Sequence, residues 1–132
     1  MRRSLPRTAR EHLDISGSFV FDVESASAFA GAREQAACAP ELVDGFWSAR
    51  PRFGSHNTCR CDGECVSLDT YEIFEADRHR TLLDWVRYFT PAELVAELCD
   101  AGFGEVDILG DLTGATHDGD APRFAAVARR GR

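Results

Sequence analysis

The stretch YFTPAELVAELCDAGF, residues Tyr88 to Phe103, decides how this 132-residue chain folds. Thr90 can cap a helix whose first position is Pro91, and Glu93 can reach back to close a capping box. The apolar residues that follow keep helical spacing, and Gly102 stands where a left-handed C-terminal stop is needed. We therefore predict a helix that starts at Pro91, with a strand directly before it and another directly after it.

Upstream of that helix, residues Phe53 to Phe74 predict a β-hairpin, because Asp62-Gly63 suits a two-residue type I′ turn. A third antiparallel strand, Thr81 to Phe89, returns after a polar turn. With a two-residue turn, the predicted cross-strand pairs are Cys61 with Glu64 and Cys59 with Val66. One face of the hairpin would carry Cys59, Cys61, Val66, Leu68 and Phe74, and the other Cys65, Ser67, Asp69, Tyr71 and Ile73.

The flanking segments supply further elements of an α/β domain. GSFVFDV, Gly17 to Val23, predicts a buried strand, and the alanine-rich run from Ser25 to Ala39 predicts a helix capped by Ser25 or Ser27 that stops at Pro40. Downstream we predict a strand over Phe103 to Gly110, a long loop to Pro122 and a last strand over Phe124 to Ala128.

Composition excludes several classes of function. The net charge is −7, and the fifteen basic residues, all arginine, concentrate at the two ends and leave an acidic middle, which argues against nucleic-acid binding. No apolar run is long enough for a signal peptide or a membrane span, so we expect a cytoplasmic protein without membrane contact. Five cysteines in such a chain indicate free thiols.

A metal site is the alternative reading of the cysteines. His56, Cys59, Cys61 and Cys65 form a cluster of ligand types, but Cys59 and Cys61 are too close in sequence and no second pair follows, so we assign no metal ligand. We predict that Cys38 and Cys99 are small buried residues of helices. His12, His79 and His117 stand in polar stretches and receive no role.

Three segments resemble the C-terminal half of a class I S-adenosylmethionine-dependent methyltransferase of the small-molecule kind. GSFVFDV is similar to the fifth strand of that family, and YFTPAELVAELCDAGF to its last helix and the start of its sixth strand. GDLTGATHDGDAPRFAAVARR, Gly110 to Arg130, is similar to the terminal hairpin. DGFWS, Asp44 to Ser48, and CVSLDTYEI, Cys65 to Ile73, resemble an antiparallel insert of the same enzymes.

The resemblance implies a partial Rossmann-like methyltransferase fold, with the last three sheet strands, two helices and an antiparallel β insert over about residues 44–89. Residues 17–132 would form this C-terminal half, and residues 1–16 are a non-matching segment with a weak helix from Arg7 to Leu13. The family cofactor is S-adenosylmethionine, which such folds bind with a glycine-rich first turn and an acid after the second strand. Neither signal is in this sequence, so we assign no cofactor-binding and no catalytic residue.

Only sixteen residues precede Gly17, whereas four further strands with their helices need on the order of 100 residues. We therefore expect a truncated methyltransferase, inactive alone, or as alternatives a second subunit of a split enzyme or a non-catalytic interaction module. Strand 18–23 would be central in a complete sheet and here lacks one neighbour. Such an exposed edge favours self-association or pairing with a partner subunit.

Six residues are candidates for lining the site of a small-molecule acceptor. Asp22 and Glu24 end the first strand, in the region that borders the acceptor in the resembled family. The others belong to the insert, which covers the active site in those enzymes: Trp47, Trp85, Arg87 and Tyr88. The competing interpretation is that the acids simply face water and that the insert residues serve packing or surface.

Overall fold

The computed structural model describes residues 4–42, 46 and 48–131 and divides the chain into two compact units. The first unit combines the residues up to Ala30 with those from Tyr88 onward, and the second is Gly31–Arg87. In chain order the elements are α1 (Ser4–His12), β1 (Ser18–Ser25), α2 (Ala26–Phe29), β2 (Gln35–Pro40), β3 (Arg52–Cys61), β4 (Val66–Glu75), β5 (His79–Phe89), α3 (Pro91–Asp100), β6 (Phe103–Leu109) and β7 (Arg123–Arg130).

The first unit is built on a mixed sheet in which β1 is paired on both sides. β7 runs antiparallel to β1 from Ser18–Arg129 to Glu24–Arg123, and β6 pairs antiparallel with the other edge of β7. On the opposite side of β1, only the last two residues of β5 pair with it, in parallel, at Glu24–Tyr88 and Ser25–Phe89. Along Ser18–Val23 the described residues pair with β1 on the β7 side alone.

The core of this unit lies between α3 and one face of that sheet. Leu94 and Leu98 of α3 cluster with Phe103, Phe124 and two alanines of β7, and the aromatic side chains of β1 pack against the same cluster. Alternation along β1 explains the arrangement, because every second residue of a strand points to the same face. Phe19, Phe21 and Val23 thus turn inward, while Asp22 and Glu24 turn to the other face.

The predicted capping of α3 is confirmed. The Thr90 hydroxyl accepts a hydrogen bond from Glu93 N, and the Glu93 carboxylate accepts one from Thr90 N at 2.9 Å. At the other end of the helix, Gly102 has a φ of 93° and its carbonyl accepts a 2.6 Å hydrogen bond from Arg10 Nε. The first helix, α1, therefore contacts the C-terminal end of α3.

The second unit is an antiparallel sheet of β2, β3, β4 and β5 in sequence order. The helix predicted from Ser25 to Ala39 is wrong beyond its first turn: α2 ends at Phe29, and the alanine-rich tail is the edge strand β2. Only the cap is confirmed, since Ser25 accepts from Ser27 N. High helix propensity is outweighed because β2 gains a continuous ladder with β3.

The hairpin turn differs from the prediction by two residues in register. Residues Asp62–Glu64 form a 3₁₀ turn, Cys65 adopts a φ of 51°, and Cys61 pairs with Val66 instead of Glu64. A slip of two residues preserves which side chains share a face. The predicted grouping of the strand residues into two faces is thus confirmed, whereas Cys65 lies in the turn and belongs to neither strand.

The environment predicted for Cys38 and Cys99 is also wrong. Both are exposed, and Cys38 lies on β2 and not in a helix. All five cysteines are free thiols. Among the described residues, no helix has the length and apolar character needed to cross a bilayer.

A nearly buried arginine, Arg52, hydrogen-bonds to described residues of the segment between β2 and β3. The Arg52 side chain is 1% exposed, and its guanidinium donates to Glu41 at 2.8 Å and to the carbonyls of Ser48 and Leu42. Because arginine offers five donors in a planar fork, one side chain can satisfy several backbone carbonyls at once. Arg52 therefore connects Glu41, Leu42 and Ser48 to the start of β3.

Candidate functional site

The carboxyl end of β1 holds an ion-pair cluster on the face of the sheet opposite to the core. Asp22 and Glu24 are two residues apart and so share this face, and Arg123 of β7 lies directly across from Glu24. Arg123 Nε donates to Glu24 Oε1 at 2.6 Å, whereas its Nη1 is 3.6 Å from Asp22 Oδ2. Arg123 therefore binds Glu24 tightly and Asp22 only loosely.

The electrostatics of the cluster follow from this unequal sharing. The hydrogen bond to Glu24, together with the charges of both acids, raises the pKa of the Arg123 guanidinium. One guanidinium opposes two carboxylates, so the cluster retains about one negative charge, and the loosely held Asp22 is the acid with unused acceptor capacity. The arrangement suits a cationic or hydroxyl-bearing small molecule.

Tyr88 is the third predicted residue at this end of β1. It pairs with Glu24 across the short parallel ladder, and its ring lies 5.1 Å from that of the buried Phe29. The loop before β7 is fixed to the same end, because Ser25 N donates to Pro122 O and the Ser27 hydroxyl donates to Ala121 O. The structure thus brings Asp22, Glu24 and Tyr88 together in one unit.

The remaining candidates are Trp85, Arg87 and Trp47. Trp85 and Arg87 belong to the second unit, where they pair with Leu68 and Val66 of β4. Trp85 is exposed. Trp47 lies outside the described residues, so its prediction stays a prediction.

Cofactor binding can be tested against the geometry of the same strand end. β1 passes directly into α2 through Ser25, without the glycine-rich turn that lets a cofactor approach the backbone. Glu24 is engaged by Arg123 through a 2.6 Å hydrogen bond, so only Asp22 has unused acceptor capacity at this end. The described residues at this strand end therefore do not fit S-adenosylmethionine as a binding site of their own.

The second unit contains a polar cluster that the sequence did not predict. His56 Nε2 and Asp69 Oδ1 are 2.6 Å apart, the Thr58 hydroxyl donates to the same carboxylate oxygen at 2.5 Å, and the His56 ring stacks on Tyr71 at 4.3 Å. Desolvation, then the charges of Asp69 and Asp84, raise the pKa of Tyr71. The register of the hairpin was the signal that could have revealed this cluster.

These contacts orient His56 toward Asp69 and Tyr71, and not toward the cysteines of the hairpin. Among the residues that the structure describes, no group of three histidine, cysteine or acidic side chains is arranged to hold a metal ion.

Glu75 is the most strongly perturbed acid in the second unit. A hydrogen bond from Arg78, a second from the Ser48 hydroxyl and the nearby charge of Arg50 lower its pKa to about 2. Arg50 itself donates to Asp77 at 2.9 Å. These contacts join the start of β3 to the turn between β4 and β5 and indicate a structural role.

Comparison with known proteins identifies solved structures that share this fold. No protein-family model and no curated protein sequence matches the chain. Among solved structures, the CcbJ methyltransferase from Streptomyces caelestis matches with a TM-score of 0.64 and 20% identity, over 98% of this chain and 53% of its own. An S-adenosylmethionine-dependent methyltransferase from Clostridium acetobutylicum matches at 0.62 and 11%, over 98% and 51%.

A third structure agrees with the first two. The sugar N-methyltransferase KedS8 from a Streptoalloteichus species matches at a TM-score of 0.59 and 22% identity, over 98% of this chain and 49% of its own. The chain thus spans about half the length of each of these structures. The predicted α/β class is confirmed, and the chain has the partial, Rossmann-like fold of about half of an S-adenosylmethionine-dependent methyltransferase.

Proposed function

We propose that this chain forms the substrate-side half of an S-adenosylmethionine-dependent methyltransferase that acts on a small-molecule acceptor and is inactive alone. The observation that carries the proposal is that three methyltransferase structures each match 98% of the chain. The open edge of β1 along Ser18–Val23 supports it, because further parallel strands of such a sheet can continue there.

The acceptor is a molecule that carries an amine, which binds to the Asp22 carboxylate in its protonated form and loses a proton to solvent before its nitrogen can attack a methyl group. Asp22 is held only loosely by Arg123, at 3.6 Å, so it can accept charge-assisted hydrogen bonds from an ammonium group. Glu24 stays with Arg123, and Tyr88 lies opposite Glu24 on the neighbouring strand. KedS8 is a sugar N-methyltransferase, which makes an amino sugar the first acceptor to test. Trp47, Trp85 and Arg87 remain predicted lining residues.

Acceptor binding is tested with an amino sugar, its neutral hydroxyl analogue and two matched variants. Asp22 and Asp107 are similarly exposed, 43% and 49%, and both contact an arginine, but Asp107 lies within 2.6 Å of Arg129. We expect Asp22→Asn to weaken amino-sugar binding at least about tenfold in calorimetry and Asp107→Asn to leave it unchanged. Equal binding of the amino and neutral sugars would contradict the role of Asp22.

Cofactor dependence is tested by titrating the chain with S-adenosylhomocysteine. A ligand at a hundred times its dissociation constant stabilises a competent site by about 2.7 kcal/mol, which a thermal melt detects. We expect no shift in melting temperature and no saturable heat from the chain alone. Saturable binding would show that the chain builds a complete cofactor site and would overturn the half-site proposal.

A second candidate function is a partner subunit or a non-catalytic interaction module, which the open β1 edge favours. The two are distinguished by adding the product of an adjacent reading frame that encodes Gly-x-Gly-x-Gly after a strand. S-adenosylhomocysteine binding by the mixture, with slowed amide exchange at residues 18–23, would identify a split enzyme. Slowed exchange without ligand binding would identify an interaction module.

A further inference from the structure

Two exposed thiols stand side by side near the end of β3. Cys59 and Cys61 are both exposed, and they are two residues apart in one strand, so their side chains lie on the same face of the sheet. They pair with Leu68 and Val66 of β4. The two cysteines therefore form an exposed dithiol, and an inference about it does not depend on methyl transfer.

The main chain between the two cysteines is held in strand geometry. Arg60 N donates a 3.2 Å hydrogen bond to the carboxylate of Glu34, and the Arg60 guanidinium, on the opposite face, donates to Asp62 at 2.8 Å. Cys61, the last residue of the strand, has a φ of −117° and a ψ of 85°. Because the main chain and the side chain of Arg60 are both bound, the strand fixes the separation of Cys59 and Cys61.

The spacing of the two thiols disfavours a disulfide and suits a bound metal ion. Residues two apart in a strand are separated by about 6.6 Å, at about 3.3 Å per residue. A disulfide requires Cβ atoms about 3.5–4.5 Å apart, so Cys59 and Cys61 cannot form one without movement of the main chain. Two thiolates that bind one metal ion in line, with bonds of about 2.3 Å, have their sulfurs about 4.6 Å apart. Each side chain reaches that separation by leaning about 1 Å toward the other.

We propose that Cys59 and Cys61 together bind one soft monovalent cation, Cu(I), in a two-coordinate site. Thiolates select Cu(I), zinc and iron–sulfur clusters. Structural zinc and iron–sulfur clusters need four ligands, whereas no three histidine, cysteine or acidic side chains converge among the residues that the structure describes. Cu(I) is the ion of this group that two thiolates satisfy. Its binding releases the two thiol protons, and the complex of one Cu(I) with two thiolates carries one negative charge.

A competition titration with single cysteine variants tests the site. The reduced chain is mixed, without oxygen, with Cu(I) held by a chromophoric chelator, and loss of the chelator colour measures transfer to the protein. We expect transfer of one Cu(I) per chain. Cys59→Ser and Cys61→Ser should each weaken binding at least about a hundredfold, because the second thiolate of a pair binds from a high effective concentration. The other three cysteines provide matched controls, and the affinity should be unchanged in Cys38→Ser, Cys65→Ser and Cys99→Ser.

Thiol alkylation of the unaltered chain gives a readout that does not depend on a variant folding. One equivalent of Cu(I) should protect Cys59 and Cys61 from iodoacetamide, whereas Cys38 and Cys99, which are also exposed, should still react. No transfer from the chelator, unchanged affinity in Cys59→Ser, an equal loss in Cys65→Ser, or equal protection of all cysteines would each overturn the proposal. A disulfide between Cys59 and Cys61 after incubation with glutathione disulfide would contradict the fixed spacing on which the proposal depends.

Discussion

Replacing Gly102 by alanine tests whether the N-terminal helix is a docked part of the first unit. Gly102 has a φ of 93°, and a Cβ built on it would lie 2.8 Å from Arg10 Nε and 3.1 Å from its Cζ. Arg10 must therefore move, and the 2.6 Å hydrogen bond from its Nε to Gly102 O is lost. Gly114 is the matched control, since it has a φ of 94° and an added Cβ meets no atom within 4 Å.

Both substitutions carry the same backbone strain, but only Gly102→Ala also displaces the Arg10 side chain. An alanine held in the left-handed region costs about 1–2 kcal/mol at either position. Displacing Arg10 adds the loss of one hydrogen bond, about 1 kcal/mol. We expect Gly102→Ala to lower the free energy of unfolding by about 2–3 kcal/mol and Gly114→Ala by about 1–2 kcal/mol.

Urea denaturation of Gly102→Ala and Gly114→Ala, each made with and without Arg10→Ala, isolates the contribution of the Arg10 side chain. In an Arg10→Ala background the hydrogen bond is already absent, so Gly102→Ala and Gly114→Ala should cost the same there. Equal costs in the unaltered background would show that the contact between α1 and Gly102 contributes nothing. A difference that persists without Arg10 would refute the assignment of the extra cost to this side chain.

Three further predictions concern the charged and capping residues. The folded pKa of Glu75, about 2, lies below its ordinary value of 4.5, so the contribution of Glu75 to stability is present above pH 4.5 and is lost as the pH falls toward 2. Glu75→Gln and Arg78→Gln should each reduce the loss of stability between pH 4.5 and pH 2 in acid unfolding. Arg52→Met should cost about 2 kcal/mol in thermal melts, because the half-buried carbonyls of Ser48 and Leu42 lose their donor. Thr90→Ala should cost about 1 kcal/mol, while Glu93→Gln, which can still hydrogen-bond the cap, should cost less.

The elements that the sequence predicted correctly are those whose signals are local. The capped start of α3 depends on residues three apart, and the strands of the hairpin depend on alternation within each segment. The alanine-rich tail before Pro40 was misread because its preference for helix is local, whereas its ladder with β3 forms with residues about twenty positions away. A propensity argument considers only local sequence, so it does not detect pairing with residues that far along the chain.

The sequence indicated the acids of the candidate site but not the residue that binds them. The end of β1 was identified from the acids, but the arginine that engages Glu24 lies 99 residues later in the chain. Only the pairing of β1 with β7 brings Arg123 to that place. The His56–Asp69 contact was missed because His56 was weighed with the neighbouring cysteines as a metal ligand and not against the residues across the hairpin.

The open edge of β1 offers backbone donors and acceptors, so pairing with another chain there would depend little on side-chain identity. Slowed amide exchange at residues 18–23 in the presence of a partner would therefore report this association, whichever side chains the strand carries.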